Sequence, residues 1–364
     1  MSLKAYKIYA DKNSSQTLVS QKIPHTQVAD LSPNVFPNYQ GDSLLFTEHK
    51  GSFLRPCPAT PRYNCCGLNI FHFGQGCPLS CSYCILEAYL GTEALVLFAN
   101  VEKGLWELKK VLATLKTPLN ADPENFQKAI PDKYPRSYRF CTGEFTDSLL
   151  FDNETRLSEK LILLFAESYP ATLELKTKTA NVDHLLPLKH NGRTVISFSI
   201  NAPIIARLEE PHAAPLKARF EAASKVAAAG YKVGFHFDPI CYFPGWEKSY
   251  AECVNMLFSA LAPSSLAWIS LGCFRYLPKL KPIMLKKTKG TLFNSEFILG
   301  ADGKARYPRP LRYLLYRTLL DLLTPHLSPQ TVVYLCMESG RIWSDLFGYD
   351  PGTEGLTAMF QRPF

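Results

Sequence analysis

The chain has 364 residues and a formal net charge of +8, and 46% of its residues are apolar while 20% are charged. This balance is typical of a folded globular protein and excludes an intrinsically disordered chain. The number of cysteines is odd (eleven), and the chain starts with a polar segment that has no secretory h-region. It also has no apolar run long enough to span a bilayer. These features predict a cytoplasmic protein without membrane association.

The predicted elements begin after an irregular N-terminal extension. Residues 1–65 are rich in Pro, Ser, Asn and Gln and show no sustained periodicity, whereas residues 66–272 alternate short β-rich runs with helical stretches. Six strands are expected, at Leu68–Phe73, Tyr138–Cys141, Leu173–Thr177, Thr194–Ile200, Tyr231–Phe237 and Ala267–Leu271. Helices are expected between them, at Glu87–Phe98, Val101–Leu115, Arg156–Ser168, Val182–Leu188, Leu216–Ala229 and Trp246–Leu261.

Six β-then-α units in series imply a parallel sheet with right-handed crossovers. Because six units are too few for a closed eight-stranded barrel, the predicted fold class is α/β, a partial (β/α)6 TIM-type barrel. In such folds the chemistry lies at the C-terminal ends of the strands.

Residues 273–364 are predicted to form a C-terminal extension with a basic hairpin and a helix. Thr291–Ile298 and Ala305–Tyr307 flank the turn signal Asp302-Gly303, which predicts a β-hairpin. A helix at Pro310–Leu323 and a last strand at Thr331–Leu335 follow.

Positive charge is concentrated between Arg275 and Arg317. This segment holds eleven basic and two acidic residues, a local net charge of +9. Such a concentration is the electrostatic footprint of a polyanion-binding surface, although a solvated loop whose lysines maintain solubility has the same composition. The candidate nucleic-acid contacts are Arg275, Lys286, Lys287, Lys289 and Arg306.

Three cysteines, Cys77, Cys81 and Cys84, follow the first predicted strand in the spacing C-x3-C-x2-C. Thiolates are the usual ligands of iron–sulfur clusters, and three ligands on a four-iron cluster leave one iron open. A structural zinc site needs four ligands, so Cys65, Cys66 or His72 would have to complete it. Unliganded thiols are a third interpretation. The tight triplet differs from paired C-x2-C zinc modules and favours iron–sulfur.

With the aromatic Tyr83 before its last cysteine, the triplet resembles the signature of the radical S-adenosylmethionine (SAM) superfamily. The resemblance implies a [4Fe–4S] cluster on the three cysteines, with SAM bound at the open iron. Gly143-Glu144, after the second predicted strand, resembles the pattern in which a backbone group and a carboxylate receive the SAM ammonium group.

Longer stretches resemble the spore photoproduct lyase family, a branch of the radical SAM enzymes. These stretches are Val182–Leu186, His190–Thr194, Phe198–Asn201, Ala229–Phe235, Pro239-Ile240 and Gly245–Glu247. By matching position, the resemblance implies that Lys178, Ser199, Asn201 and Asp238 help to hold SAM.

The resemblance also implies an activity. A reduced cluster, supplied by an electron donor such as flavodoxin or ferredoxin, cleaves SAM to a 5′-deoxyadenosyl radical. That radical removes hydrogen from a methylene-bridged thymine dimer in DNA, the linkage fragments to two thymines, and a cysteine thiol quenches the product radical. The basic segment would grip the damaged DNA while the lesion is extruded.

The chain departs from the lyase at the thiol donor. A gap-free alignment on Phe145-Thr146-Asp147 puts Glu144 where the donor cysteine is expected, and Cys141 lies three residues earlier. Cys336 is an alternative donor, and Tyr83 is a further candidate catalytic residue. These departures predict a sister branch of the family.

Two alternatives to repair of thymine lesions stay open. One is a radical SAM enzyme that acts on RNA, a peptide or a small molecule, which the missing thiol alignment favours. The other is a non-catalytic DNA-binding protein with a structural zinc or iron–sulfur site. The basic hairpin favours DNA as the partner.

Overall fold

The computed structural model describes residues 3–20, 23–58, 60, 62–90, 93–115, 138–168 and 170–360. The strands within these ranges are β1 (Lys7–Ala10), β2 (Thr26–Gln27), β3 (Ser43–Thr47), β4 (Leu54–Pro56), β5 (Asn69–Phe71), β6 (Gly74–Gln75), β7 (Leu95–Phe98), β8 (Arg139–Thr142), β9 (Thr172–Thr177), β10 (Thr194–Ile200), β11 (Lys232–Ile240), β12 (Leu266–Cys273), β13 (Arg275–Tyr276), β14 (Ile298–Leu299), β15 (Ala305–Arg306) and β16 (Val332–Leu335).

The helices in the described ranges vary from single turns to four turns. They are α1 (Lys12–Ser20), α2 (Leu86–Tyr89), α3 (Val101–Thr114), α4 (Asp152–Thr155), α5 (Leu157–Ala166), α6 (Pro203–Glu209), α7 (Leu216–Ala228), α8 (Trp246–Ala260), α9 (Lys281–Lys287), α10 (Arg309–Leu323), α11 (Gly340–Phe347) and α12 (Gly352–Ala358). None of the helices in this part of the chain is long and apolar enough to cross a membrane.

The central sheet has eight strands in the order β16-β12-β11-β10-β9-β8-β5-β4. All neighbours in it are parallel except the β4–β5 pair, which is antiparallel. Strands β5 and β8 to β12 correspond to the six predicted strands, and the predicted last strand is β16. The partial-barrel prediction is therefore confirmed.

The inner strands form because they can be buried on both faces. All seven residues of β10 are buried, as expected for a strand covered by helices on one side and by the barrel interior on the other. Outside the sheet, α7 buries Leu216, Phe220 and Ala223 on one face. It ends before Gly230, whose φ of +91° suits a residue just past a helix.

The N-terminal segment is not irregular. Its strands β1, β2 and β3 join β6 and β7 in a five-stranded sheet of order β2-β1-β3-β7-β6. The helix predicted at Glu87–Phe98 is wrong, because α2 ends at Tyr89 and Leu95–Phe98 is strand β7. All four residues of β7 are buried, and periodicity alone does not distinguish so short an apolar run from a helix.

The C-terminal segment contains the predicted hairpin in a shorter form. Strands β14 and β15 are antiparallel, and β13 adds a third strand on the other side of β15. The helix α9 was not predicted, and it lies within the basic segment. Strand pairs cross both predicted domain boundaries, since β3 pairs with β7 and β12 with β16. The division at residues 65 and 272 stays a prediction about folding units.

The loop between β4 and β5 bridges the two edges of the central sheet. The backbone N–H of Asn64 donates to the carbonyl of Glu338, just past β16, at 2.9 Å. The Asn64 amide also donates to Asp350 at 2.6 Å. Through these two contacts the loop joins the β4 edge of the sheet to the chain that follows β16 at the other edge.

Candidate active site

The cysteine loop (residues 76–84) leaves β6 through Gly76. The φ of Gly76 is +92°, and its N–H donates to the carbonyl of Phe145 at 2.8 Å, which joins the loop to the chain that follows β8. None of the three cysteines forms a disulfide. Cys81 is buried, whereas Cys77 and Cys84 are half-buried.

The thiols of the cysteine loop lie close enough to influence one another. Burial raises the pKa of Cys77 well above its usual value, and Asp147 and the other two thiols add to the shift. Burial likewise raises the pKa of Cys81 to about 12. Three soft sulfur donors from one loop, none in a disulfide, form a donor set that fits an iron–sulfur cluster.

The zinc alternative required a fourth ligand, and its candidates have other partners. Cys65 hydrogen-bonds to the thiols of Cys57 and Cys66, and the Cys66 thiol lies near Arg139. His72 packs its ring against His49, Phe98 and Phe145. Within the described ranges, no three His, Cys, Asp or Glu side chains are arranged to hold a single metal ion.

An ionic cluster around the buried carboxylate of Glu210 supports the cysteine loop at Tyr83. The Tyr83 hydroxyl donates to the Glu210 carboxylate, and the Lys178 ammonium group lies 3.0 Å from that hydroxyl and 2.9 Å from Glu210. Arg219 donates to the other Glu210 oxygen at 2.5 Å. Burial alone would raise the pKa of Glu210, but Lys178 and Arg219 lower it to about 2. The cluster brings together two predicted residues, Tyr83 and Lys178.

Glu210 and its neighbour Glu209 were missed by sequence reasoning. Both are buried, and both contact the cysteine loop, Glu209 at Ser82 and Glu210 at Tyr83. The only sequence signal was a pair of acidic residues after the fourth predicted strand. Two acidic residues at the end of a helix are usually exposed to solvent, so the burial of Glu209 and Glu210 was not predictable.

Gly143 and Glu144 lie immediately after β8. Gly143 has a φ of +81°, and a Cβ there would meet Ser148 Oγ at 2.5 Å, so a side chain does not fit. The Glu144 carboxylate is engaged by Arg55 at 2.6 Å, and the guanidinium group of Arg55 also lies over the Phe145 ring. Burial raises the pKa of Glu144, and Arg55 opposes this shift. The SAM-binding role of both residues stays a prediction.

Asp147 ties the end of β8 to the end of β9. Its carboxylate accepts hydrogen bonds from the backbone N–H of Lys178 at 2.7 Å and from the hydroxyl of Thr177 at the same distance. Asp147 is buried, and its negative charge helps to raise the pKa of the Cys77 thiol. It therefore holds Lys178 close to the cysteine loop.

The other candidate SAM contacts lie at neighbouring strand ends. Asn201 is buried, and its side-chain amide is used internally, donating to the carbonyl of Pro239 and accepting from Tyr250, both at 2.8 Å. The carbonyl of Ser199 accepts from Arg219 at 2.8 Å. Asp238 is paired with Arg275, with both N···O distances at 3.2 Å. Their roles toward SAM stay predictions.

The two candidate hydrogen donors differ in exposure. Cys141 is buried on β8, and its thiol donates to the carbonyl of Thr142 at 2.8 Å. Cys336 follows β16, is half-buried, and lies 3.8 Å from an Arg275 nitrogen. Burial raises the pKa of Cys336 to about 12 and that of Cys141 further, so both are protonated thiols at neutral pH.

The five candidate nucleic-acid contacts do not lie together. Lys286, Lys287 and Lys289 are exposed on α9 and in the turn after it. Arg275 is instead paired with Asp238 of β11. Arg306 is 2% exposed, pairs with Asp302 at 2.6 Å and stacks over the Tyr63 ring. The structure therefore separates a lysine surface from two arginines that are used internally.

Comparison with known proteins adds a family-level finding. A family model described as Spore photoproduct lyase matches residues 69–291. The spore photoproduct lyase of Bacillus subtilis (strain 168) is 34% identical over 190 residues, which are 52% of this chain and 50% of that protein. The spore photoproduct lyase of Clostridium acetobutylicum is 27% identical over 238 residues, 64% of this chain and 66% of that protein. The chain thus spans about half of the first relative and about two thirds of the second.

Solved structures support the same fold. A spore photoproduct lyase double mutant with bound AdoMet and dinucleoside spore photoproduct matches with a TM-score of 0.71 and 21% identity, over 90% of this chain and 98% of that chain. A second spore photoproduct lyase mutant matches with a TM-score of 0.70 and 23% identity, over 90% of this chain and 98% of that chain.

Proposed function

The chain belongs to the spore photoproduct lyase family, and on that premise we propose that it is a radical SAM enzyme that repairs thymine lesions in DNA. The observation that carries the proposal is the cysteine loop, whose three thiols, none of them in a disulfide, stand beside the Lys178–Tyr83–Glu210 cluster. When bound, a [4Fe–4S] cluster and SAM supply a 5′-deoxyadenosyl radical that removes hydrogen from the lesion.

Each protein group then has a distinct task. Cys77, Cys81 and Cys84 hold the cluster, and the absence of a side chain at Gly143 lets a ligand approach the backbone after β8. Glu144 would hold the ammonium group of SAM and would then share its carboxylate between SAM and Arg55.

We assign the hydrogen donor to Cys336 rather than Cys141. A donor must reach a carbon-centred radical, and Cys336 is the more exposed of the two thiols. Its raised pKa keeps the S–H bond intact at neutral pH, as transfer of a hydrogen atom requires. The transfer leaves a thiyl radical on Cys336 and a C–H bond on the product.

The substrate is DNA, and its phosphodiester backbone contacts the exposed lysines of α9 and the following turn. Lys286, Lys287 and Lys289 offer three positive charges within four residues at the surface. An electron donor such as flavodoxin or ferredoxin would reduce a cluster held by the cysteine loop, and the cytoplasm would provide the reducing conditions.

The test is anaerobic reconstitution with iron and sulfide, dithionite reduction, and chromatography for 5′-deoxyadenosine with and without DNA that carries spore-type thymine dimers. We expect SAM cleavage together with loss of the lesion. Cleavage with unchanged lesion content would keep the radical SAM class and exclude this substrate. The absence of a cluster or of cleavage would favour a non-catalytic DNA-binding protein.

Matched cysteine variants sharpen this test. Cys81→Ala removes one proposed ligand, and we expect it to lose the cluster and SAM cleavage. Cys253→Ala removes another fully buried thiol, on α8 outside the cysteine loop, and should retain both. Equal loss in the two variants would point to unfolding rather than to ligation.

A further inference from the structure

Glu209 lies between the cysteine loop and the exposed lysines. It is the last residue of α6 and has no solvent-exposed surface. Its two carboxylate oxygens accept hydrogen bonds from different segments of the chain.

One oxygen, with the Glu209 main chain, holds the cysteine loop. The Ser82 hydroxyl donates to Glu209 Oε2, and the Ser82 backbone N–H donates to the Glu209 carbonyl at 2.9 Å. Ser82 lies between Cys81 and Cys84 and is itself buried. Glu209 therefore fixes the part of the loop that carries the last two proposed cluster ligands.

The other oxygen holds the turn after α9, which we call the lysine turn (residues 288–291). Glu209 Oε1 accepts from Thr288 Oγ1 at 2.8 Å, from the backbone N–H of Lys289 at 3.0 Å and from the Thr291 hydroxyl. Gly290, with a φ of +85°, lets the turn direct all three donors at one atom. Lys286, Lys287 and Lys289 are exposed on and just before this turn.

A buried carboxylate is stable only while its hydrogen bonds are made. The four groups that donate to the Glu209 side chain are three hydroxyls and one amide, all neutral. If the hydrogen bonds from the cysteine loop or those from the lysine turn are lost, the carboxylate keeps too few donors in a site closed to water, which costs free energy. The two segments are therefore coupled, because disorder in one weakens the hydrogen bonds that hold the other.

We propose that Glu209 is a positioning residue through which binding of a phosphodiester backbone at the lysine turn orders the cysteine loop. The inference rests on the proposed function, because it assigns the cluster to that loop and the nucleic acid to those lysines. By thermodynamic reciprocity, an ordered cysteine loop also strengthens binding at the lysine turn. The enzyme would thus protect its cluster best when DNA is bound.

The experiment measures how fast a chelator removes iron from the reconstituted full-length protein, with and without saturating short oligothymidylate. We expect the oligonucleotide to slow iron release about fivefold or more, the lower end of typical coupling between sites. Ser82→Ala removes the hydroxyl on the loop side and Thr291→Ala the hydroxyl on the turn side. In each variant the rates of iron release with and without the oligonucleotide should become nearly equal.

Ser80→Ala is the matched control, because Ser80 is an exposed serine of the same loop whose hydroxyl faces the Pro78 carbonyl instead of Glu209. It should keep the wild-type slowing. Fluorescence anisotropy first establishes the oligonucleotide concentration that saturates each variant. If Ser82→Ala shows the same slowing as the wild type, the oligonucleotide merely covers the cluster and the coupling through Glu209 is overturned.

A second readout does not depend on the cluster. The alkylation rate of Cys84 in the full-length, metal-free protein is followed by peptide mass spectrometry with and without the oligonucleotide. Slowing in the wild type and Ser80→Ala, but not in Ser82→Ala, supports the coupling even if the protein never cleaves SAM. Equal rates with and without oligonucleotide in the wild type overturn it, whatever the outcome for the enzymatic activity.

Discussion

The Glu174 carboxylate lies at the centre of a buried hydrogen-bond cluster inside the central sheet. Its partners come from four strands: Arg139 at 2.6 Å, Ser197 at 2.6 Å, His236 at 2.7 Å and Trp268 at 3.0 Å. Burial would raise the pKa of Glu174, but Arg139 and His236 hold it well below its usual value. The carboxylate therefore stabilises the fold as an anion.

We expect Glu174→Gln to lower the free energy of unfolding by about 3 kcal/mol at pH 7, because the guanidinium group of Arg139 loses its buried partner. A carboxyl group with a depressed folded pKa contributes stability above its unfolded pKa, and loses it as the pH falls through the folded value. The difference between wild type and variant should therefore persist near pH 5 and shrink only below about pH 4.5. Urea unfolding at a series of pH values measures it.

Glu221→Gln provides the control for this substitution. The Glu221 side chain is 62% exposed on α7, so the same chemical change there should alter stability by less than about 0.5 kcal/mol. A loss in Glu174→Gln that grows rather than shrinks under acid conditions would contradict the anionic role.

The assignment of Cys336 as hydrogen donor leads to a second prediction for a single residue. We expect Cys336→Ala to retain cleavage of SAM but to lose most recovery of free thymines, since the product radical is formed and not quenched. Cys141→Ala is the paired variant, and it should keep recovery within about threefold if its thiol only packs on β8. Chromatography of the thymine products measures both, and the opposite pattern would assign the donor to Cys141.

At the residue scale, the sequence predicts where charged residues are concentrated but not which of them are buried in ion pairs. The sequence predicts correctly that residues 275–317 are rich in cations, but it does not show which cations have partners. Arg275 and Arg306 are paired with Asp238 and Asp302, respectively. Asp238 lies on a different strand from Arg275, so no local pattern in the sequence indicates that pair.

At the level of elements, the packing of β11 between β10 and β12 depends on the small size of Gly234. A Cβ there would lie 2.3 Å from Ser197 Oγ and 2.4 Å from Trp268 Nε1, both members of the Glu174 cluster. We expect Gly234→Ala to lower stability by about 1–3 kcal/mol through overpacking, as measured by thermal unfolding. Gly41→Ala, where the nearest atoms are 3.8 Å away, should change stability by less than about 0.5 kcal/mol. A neutral Gly234→Ala would show that β11 moves readily.

Element prediction succeeded where a long pattern determined the structure. The helices α3, α7, α8 and α10 and the six barrel strands repeat an apolar period over many residues or are buried throughout, so local sequence specifies them. The N-terminal sheet was missed because its strands are short and pair with distant segments of the chain. Strand β1 pairs with β3, and β3 pairs with β7 about fifty residues further along the sequence. Pairing over that separation depends on tertiary contacts that a local window does not contain.

The candidate site divides in the same way. The cysteine triplet was predictable because its spacing lies within eight residues of sequence. Glu209, Glu210 and Asp147 were not, since each acts through contacts with distant segments and resembles an ordinary surface acid in the sequence. The residues that position the cysteine loop are therefore visible only in the folded chain.

At the level of the whole molecule, the position of the exposed positive charge, more than the net charge of +8, determines where a nucleic acid would bind. If the lysine turn and α9 bind phosphodiesters, replacing Lys286, Lys287 and Lys289 together with Gln removes three counterion-releasing contacts. We expect the slope of log Kd against log salt for single-stranded DNA to fall by about 2, and affinity to fall at every sequence tested, because phosphate contacts do not read bases. Fluorescence anisotropy over a range of salt concentrations measures the slope.

Three exposed lysines elsewhere, Lys189, Lys217 and Lys248, give a control of equal charge. Both triple variants carry the same net charge, so long-range attraction falls equally in the two. A local site predicts a reduced salt slope only in the first, whereas a general electrostatic attraction predicts the same reduction in both. Equal slopes in the two variants would therefore contradict the lysine surface and, with it, any route from bound nucleic acid through Glu209 to the cysteine loop.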